Sequence, residues 1–346
     1  MAFRDGGHFP KKGFMAKRII HHTLANGSGL NRISTSMAIT ERMLGMDSYV
    51  SFTNPQDVPQ NPLQITGLQV LSQADAIEAD VHVIHSHLQD NAKGKTIFVP
   101  HGTPEHCFAV AVSQSKTSGY VAGDPLMLSL YRINRCDATV TFWDRHAFIW
   151  KSMSPKSRIE TVPMGVDTNF WKPTPSIGKW AGSPSLFTCE NCHQIKWPLD
   201  LVLAFPLIME VIHTAVLHMH YVPLDTHRFW YPLMAANGVM YKSFSSGNYF
   251  APPELRNVFN SVDYYLSLVR YGDFNSVCLE AKASGCKVIS YEGNPYADYW
   301  INEGDQRDMA LSLIKIFKGE TKPREVLKAP SLQDMANAMI KIYESL

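Results

Sequence analysis

Val269-Arg-Tyr-Gly-Asp-Phe-Asn-Ser-Val-Cys-Leu-Glu-Ala-Lys-Ala-Ser-Gly-Cys-Lys-Val-Ile-Ser290 holds the heart of a βαβ unit. The apolar run Tyr264–Leu268 ahead of it predicts a strand. Ser276–Ser284 has helical spacing, Gly285 stands where that helix would stop, and Lys287–Tyr291 predicts the next strand. A helix entered from a strand presents unbonded backbone N–H groups and the positive end of its dipole, which makes its first turn a place for phosphate. Asn275 and Ser276 fall at that turn. Glu280 lies about one turn further on, where a carboxylate accepts hydrogen bonds from a sugar diol. An ordinary Rossmann helix with a surface glutamate accounts for the same residues equally well.

The same alternation extends both ways. Upstream, strands are predicted at Arg18–Thr23, Asp47–Phe52, Val81–His85, Thr96–Val99, Ala138–Phe142 and Ile159–Val162, with a helix over Ile33–Leu44 that Gly45 would end. Pro173-Thr-Pro-Ser-Ile-Gly178 reads as a linker. Beyond it come strands at Ser185–Thr188, Ala215–His220 and Val239–Phe244 and helices at Leu199–Ile212 and Pro253–Ser261. Helices over Gln306–Phe317 and Ser331–Leu346 close the chain. Alternating strands and helices predict parallel sheets in an α/β fold, and 346 residues predict two domains, because a single core stops growing near ~250–300 residues. Two open α/β sheets in series predict a ligand cleft at the carboxyl ends of the strands, between the domains.

Composition narrows the function. The chain is 45% hydrophobic and 18% charged with a formal net charge of +1, a globular balance that carries no overall field toward nucleic acid or an anionic membrane. The one uneven stretch is residues 1–18, where Arg4, Lys11, Lys12, Lys17 and Arg18 face Asp5 alone. Six scattered cysteines argue for a reducing compartment and against a disulfide scaffold. Residues 1–18 hold no apolar signal core, and no run of ~20 apolar residues occurs, so the expected location is cytoplasmic with no membrane span.

Three segments resemble one family, the retaining glycosyltransferases of family 4 (glycosyl transferases group 1). Leu279-Glu-Ala-Lys-Ala-Ser-Gly-Cys-Lys-Val-Ile289 is similar to its Leu-Glu-Ala-Met-Ala-x-Gly-x-Pro-Val-Ile. Val162-Pro-Met-Gly-Val-Asp-Thr-Asn-Phe170 resembles its Pro-Asn-Gly-Val-Asp-x-x-x-Phe, which ends the first domain. Cys189-Glu-Asn-Cys-His-Gln-Ile-Lys196 is similar to its Gly-Arg-x-x-x-x-Lys loop. The resemblance implies a GT-B fold, two Rossmann-like domains facing a central cleft. Residues 1–172 would bind the acceptor and 173–330 a nucleotide-sugar donor, with the helix 331–346 packing back toward the first domain. It implies that Lys196 neutralises the donor pyrophosphate, that Phe274, Asn275 and Ser276 line the donor and that Glu280 holds the ribose. The family's first motif glutamate matches Gly272, so Asp273 is the nearest carboxylate, and Asn191 stands where the family has an arginine, a weaker phosphate partner.

In the first half, Asn26-Gly-Ser-Gly-Leu-Asn31 resembles the family's Gly-rich loop, which implicates Gly27, Gly29 and Asn31. His101, in Val99-Pro-His-Gly-Thr-Pro104, is similar to the family's His-Gly and would contact the sugar or polarise an acceptor hydroxyl. His85 and His87 would line the cleft from one face of a strand. No metal site and no cofactor are expected, the nucleotide-sugar being substrate. Cys189-x-x-Cys-His193 also matches a c-type haem signature, but an exported context is missing and the segment falls inside the lysine loop. Three function classes follow: a glycosyltransferase with a hydroxyl acceptor, the same enzyme acting on hydroxymethylated bases of DNA, or a GT-B binding protein without catalysis, for which the losses at Gly272 and Asn191 speak. A nucleotide-sugar epimerase would need carboxylates flanking the sugar, and none is identified.

Overall fold

A computed structural model describes residues 17–23, 29–52, 67–85, 91–105, 107, 125–175, 178–189, 199–220, 232–233, 235–236, 240–242, 250–269 and 276–346. The chain divides into two compact units. One comprises Met1–His101, Met127–Met164 and Leu332–Leu346, and the other Gly102–Leu126 and Gly165–Ser331.

The first unit carries β1 (Arg18–Thr23), β2 (Asp47–Phe52), β3 (Val70–Leu71), β4 (Glu78–Ile84), β5 (Lys93–Phe98), β6 (Ala138–Thr141) and β7 (Ile159–Thr161). They form one parallel sheet in the order β3-β2-β1-β4-β5-β6-β7. The doubly wound order reverses between β1 and β4, the kind of switch point at which open α/β sheets bind their ligands. Ile19, Ile20, Val50, Val81, Val83, Ile97 and Val140 are fully buried, as parallel strands covered on both faces require. Helices α1 (Gly29–Met43), α2 (Pro125–Arg135), α3 (Asp144–Met153) and the C-terminal Leu332–Glu344 belong to this unit. The C-terminal helix packs on α1, and Lys17 Nζ bonds the carbonyl of Tyr343 at 2.5 Å.

The second unit repeats the plan. Strands β8 (Ser185–Thr188), β9 (Val216–His220), β10 (Met240–Lys242), β11 (Tyr264–Ser267), β12 (Lys287–Tyr291) and β13 (Tyr299–Ile301) run parallel in the order β10-β9-β8-β11-β12-β13, and the reversal falls between β8 and β11. Its helices are α4 (Leu199–Val211), α5 (Pro252–Phe259), α6 (Ser276–Ala283) and α7 (Gln306–Phe317), which makes the C-terminal helix α8. Leu201, Val202, Phe205 and Ile208 of α4 pack with Met309, Leu313 and Ile316 of α7 over one face of the sheet. Pro206 is accommodated inside α4.

Each sheet uses the same clasp, an aspartate just before one strand that holds the backbone of the neighbouring strand. Asp137 accepts from the Thr96 backbone N–H at 2.8 Å and from Lys95 at 2.9 Å. Asp263 accepts from the Ser185 N–H at 2.9 Å, the Ser185 hydroxyl at 3.1 Å and Lys179 at 2.8 Å.

β1, β2, β8, β12 and α7 span the residues that the patterning predicts. Four elements escape it. β3 has two residues and β13 three, too short for a period to register. α2 and α3 leave Met127, Leu128, Tyr131 and Phe148 exposed, which blurs the apolar stripe. The proline-rich stretch expected as a linker lies within the second unit: Thr174 N–H donates to Asn260 Oδ1 at 2.8 Å.

Candidate functional site

The carboxyl end of the first sheet gathers histidines. His21 and His22 are successive residues of β1, so their rings lie on opposite faces of the sheet. β4 ends at Ile84, but the His85 N–H donates to the His22 carbonyl at 2.9 Å and the Val99 N–H to the Ile84 carbonyl at 3.0 Å. These bonds hold the segments leaving β4 and β5 in register beyond the strands themselves. On one face His22 Nε2 meets His82 Nδ1 at 2.9 Å, and His82 Nε2 meets the Lys93 carbonyl at 3.0 Å. A carbonyl only accepts, so His82 carries its proton on Nε2 and receives the His22 N–H.

On the other face the rings form a longer line. His101 Nε2 lies 2.9 Å from His85 Nδ1, His85 Nε2 lies 3.1 Å from His21 Nδ1, and His21 Nε2 lies 2.9 Å from Glu41 Oε2. Glu41 comes from α1 and also accepts from Ser48 Oγ of β2 at 2.7 Å and from Tyr343 OH of α8 at 2.7 Å. Glu41 and His21 are 0% exposed and His85 4%, whereas His101 is half-buried at the outer end. The line thus runs from an accessible ring at the sheet's carboxyl edge to a carboxylate in the core.

Burial lowers the His85 pKa well below its ordinary value, and the neighbouring His101, His21 and His22 lower it further, so the ring is neutral at physiological pH. Burial likewise lowers His82, against the bonds to the Lys93 and Ile77 carbonyls. The Tyr343 phenol is raised well above its ordinary value by burial and by the Glu41 carboxylate, so it remains a donor.

In the second unit α6 begins at Ser276, after the reversal-point strand β11. Glu280 is buried, so the alternative of a surface glutamate does not hold. Lys282, on the same helix, is committed to Asp298, whose carboxylate accepts from Lys282 Nζ at 2.6 Å and from the Val288 N–H at 2.8 Å. Gly285 ends the helix at φ +84°, with its own N–H on the Lys282 carbonyl and the Cys286 N–H on the Ala281 carbonyl, the paired bonds of a Schellman turn. The segment similar to the family's Pro-Asn-Gly-Val-Asp-x-x-x-Phe forms a turn: Asp167 Oδ1 accepts from the Asn169 and Phe170 N–H groups, and Arg256 donates to the Phe170 carbonyl at 3.2 Å with its guanidinium over that ring.

Of the residues predicted from sequence, the structure joins His85 to His101 and puts Ser276 and Glu280 on one helix. Gly29 and Asn31 belong to the first turn of α1, which begins ahead of the predicted Ile33. His85 follows β4 and does not lie within it. Gly27, His87, Asn191, Lys196, Gly272, Asp273, Phe274 and Asn275 lie outside the described residues. His213 and His218 bond the Met209 and Ala181 carbonyls, and His220 stacks on Phe250. Among the described residues no group of three metal-ligating side chains is assembled, and no helix is long and apolar enough to cross a membrane.

His21, Glu41, Ser48 and Tyr343 were not singled out by sequence reasoning. One signal was available: Ser34, Met37, Ala38 and Glu41 form the buried stripe of α1, and a carboxylate on a core stripe needs partners.

No protein-family model matches the chain, and no curated protein matches its sequence. Its fold has clear counterparts among solved structures. HepE of Anabaena, solved with UDP and glucose, superposes with a TM-score of 0.65 over 95% of this chain and 100% of that one, at 11% identity. Sucrose-phosphate synthase of Thermosynechococcus elongatus gives 0.66 over 95% and 99%, at 13% identity. WaaB, a lipopolysaccharide outer core galactosyltransferase, gives 0.63 over 95% and 100%, at 11% identity. At such identities the likeness is one of architecture, and the architecture is the GT-B fold.

Proposed function

We propose that the protein is a glycosyltransferase that moves a sugar from a nucleotide-sugar donor to a hydroxyl acceptor, with retention at the anomeric carbon as the family resemblance implies. The observation that carries this reading is α6 of the second unit: a helix opening at Ser276 after the strand where sheet order reverses, with Glu280 buried about one turn in. A helix N-terminus there suits the diphosphate, and a desolvated carboxylate suits the ribose diol. The UDP and glucose bound by HepE, a chain of the same fold, favour the same ligand class. Lys196 supplies positive charge to the leaving diphosphate, Asp273 and Phe274 flank the sugar, and His101 serves the hydroxyl. The charge on the phosphates is met by the helix and by Lys196, so the reaction needs no metal ion. A thermal-shift screen of UDP, GDP, ADP and dTDP and their glucose conjugates tests it. One base should stabilise the protein by about 2.7 kcal/mol at 100 times its dissociation constant. No stabilisation by any of them would overturn the reading.

A further inference from the structure

Residues 125–158 hold Arg132, Arg135, Arg145, Lys151, Lys156 and Arg158 against Asp137 and Asp144 alone, in a chain whose formal net charge is +1. The stretch forms α2, β6, α3 and the turn beyond. The connections β5–α2–β6 and β6–α3–β7 step the same way along the sheet, so right-handed crossovers put both helices on one face of it. The Ser157 hydroxyl beyond α3 donates to Asn134 Oδ1 in the last turn of α2 at 3.3 Å, which ties the two side by side.

Each helix has an inner and an outer side. α2 buries Ser129 and Ile133, and α3 buries Trp150. At about 100° per residue, the side of α2 opposite its buried pair carries Met127, Tyr131 and Arg135 with Leu128 beside them, and the outer side of α3 is centred on Phe148 with Lys151 and Ser152 next to it. Polar residues are the rule on such a side. Here Met127 is 60% exposed, Tyr131 55% and Phe148 75%, and Leu128 and Met153 are exposed as well. Cations are interleaved with them. The Arg135 guanidinium lies over the Tyr131 ring, 4.6 Å from its centroid. Lys151 donates to the Ser157 carbonyl, which leaves its charge in place, and Lys156 is exposed. Of the two acids, Asp137 is held by Lys95 and the Thr96 N–H, and Asp144 is the sole acid of either helix.

We propose that the outward faces of α2 and α3 form a docking surface for an anionic lipid bilayer, on which the first unit rests without crossing it. Phe148, Met127 and Leu128 enter the boundary between headgroups and acyl chains, and Arg135, Lys151 and Lys156 reach the lipid phosphates. The alternating apolar and cationic side chains select this occupant. A second copy docked through the same face would set Arg135 and Lys151 against like charges. A nucleic acid would suit the cations, but Met127, Leu128 and Met153 offer no ring for a base to stack on. Docking of this kind is independent of what the second unit binds.

Co-sedimentation of the full chain with vesicles tests the surface. The protein should bind phosphatidylcholine vesicles that contain phosphatidylglycerol and bind vesicles of phosphatidylcholine alone far more weakly. Raising NaCl from ~0.1 M to ~1 M, which shortens the screening length from ~10 Å to ~3 Å, should release most of it. Phe148→Ser should lower the partition coefficient by about tenfold or more, since an aromatic ring no longer leaves water. Arg135→Glu should lower it by about tenfold or more at low salt, because it reverses a charge at the headgroups. Leu207→Ser, which removes an exposed leucine of α4 in the second unit, should bind as the wild type does. No binding of the wild type to the anionic vesicles, equal binding to phosphatidylcholine alone, or binding that survives both Phe148→Ser and Arg135→Glu would overturn the proposal. Duplex or single-stranded DNA bound in place of vesicles, or a dimer in sedimentation velocity that Phe148→Ser dissociates, would overturn it by giving the face to another occupant. The lipid and salt arms use the wild-type chain alone and decide the matter even if a variant does not fold. If the vesicles bind as stated and no nucleotide-sugar is turned over, the docking surface stands and the glycosyl-transfer reading falls.

Discussion

Gly285→Ala isolates the contact that ends the helix presenting Ser276 and Glu280. The glycine has φ +84°, and a Cβ placed on it would lie 3.0 Å from Pro173 Cγ and 3.6 Å from Pro173 Cβ. Gly319 is a natural control in the same unit. It ends α7 with the same pair of backbone bonds at φ +74°, and a Cβ there meets nothing within 4 Å. Gly319→Ala therefore costs only the left-handed backbone penalty of an L-residue, about 1–2 kcal/mol. Gly285→Ala costs that and an overpacking term of about 1–3 kcal/mol, because a proline ring cannot swing aside as a flexible chain end does. Pro173 is held further by the Thr174 N–H bond to Asn260.

Urea and thermal unfolding of the two variants read the difference, with a loss of about 2–4 °C in Tm for each kcal/mol in a domain of this size. Gly285→Ala should melt below Gly319→Ala, and Pro173→Ala introduced beside Gly285→Ala should recover the overpacking part in a double-mutant cycle. Equal melting of the two single variants, or no recovery in the double variant, would refute the packing assigned to this helix end.

Other outcomes follow from the two sites. Glu280→Gln should weaken nucleotide-sugar binding by about 1.5–3 kcal/mol, measured by calorimetry, since an amide is a poorer partner for a diol than a carboxylate. Lys196→Ala should lower turnover far more than melting temperature, its proposed partner being a leaving group whose charge grows in the transition state; early melting with specific activity retained would make it structural. Burial pushes the Asp263 carboxyl up, but Lys179 and Ser185 outweigh it and hold the pKa below the ordinary value. Its contribution to stability is therefore present above the unfolded value near ~4 and is lost as pH falls through the depressed folded value, and Asp263→Asn should flatten that acid limb in urea titrations. Treatment with EDTA should leave turnover unchanged, and loss restored by one added divalent ion would show a metal at the phosphates in place of the missing arginine at Asn191.

Much of the fold was legible because parallel strands buried on both faces write themselves as short apolar runs. Ile19–Ile20, Val81–Ile84 and Val288–Ile289 are such runs, and each is a central strand. What failed was local: α2 and α3 expose large apolar side chains, and β3 and β13 are shorter than any period. The site divided in the same way. Ser276 and Glu280 belong to one contiguous motif, and Glu280 is buried on that helix. His101 and His85 could be named singly from their segments. Their connection could not, because His21, Glu41, His85, His101 and Tyr343 are joined by strand order and by the packing of α8 on α1. No spacing in the sequence encodes a partnership between residues 41 and 343.

The central claim is donor turnover, and it is tested most directly by incubating the purified chain with UDP-, GDP-, ADP- and dTDP-sugars without acceptor and following release of the nucleoside diphosphate and free sugar. Retaining transferases pass a small fraction of donor to water, so one donor should be hydrolysed slowly, with the first-formed sugar keeping the donor's anomeric configuration and with the rate lost in Glu280→Gln. Release of no nucleoside diphosphate from any donor, by a folded protein, would contradict the account.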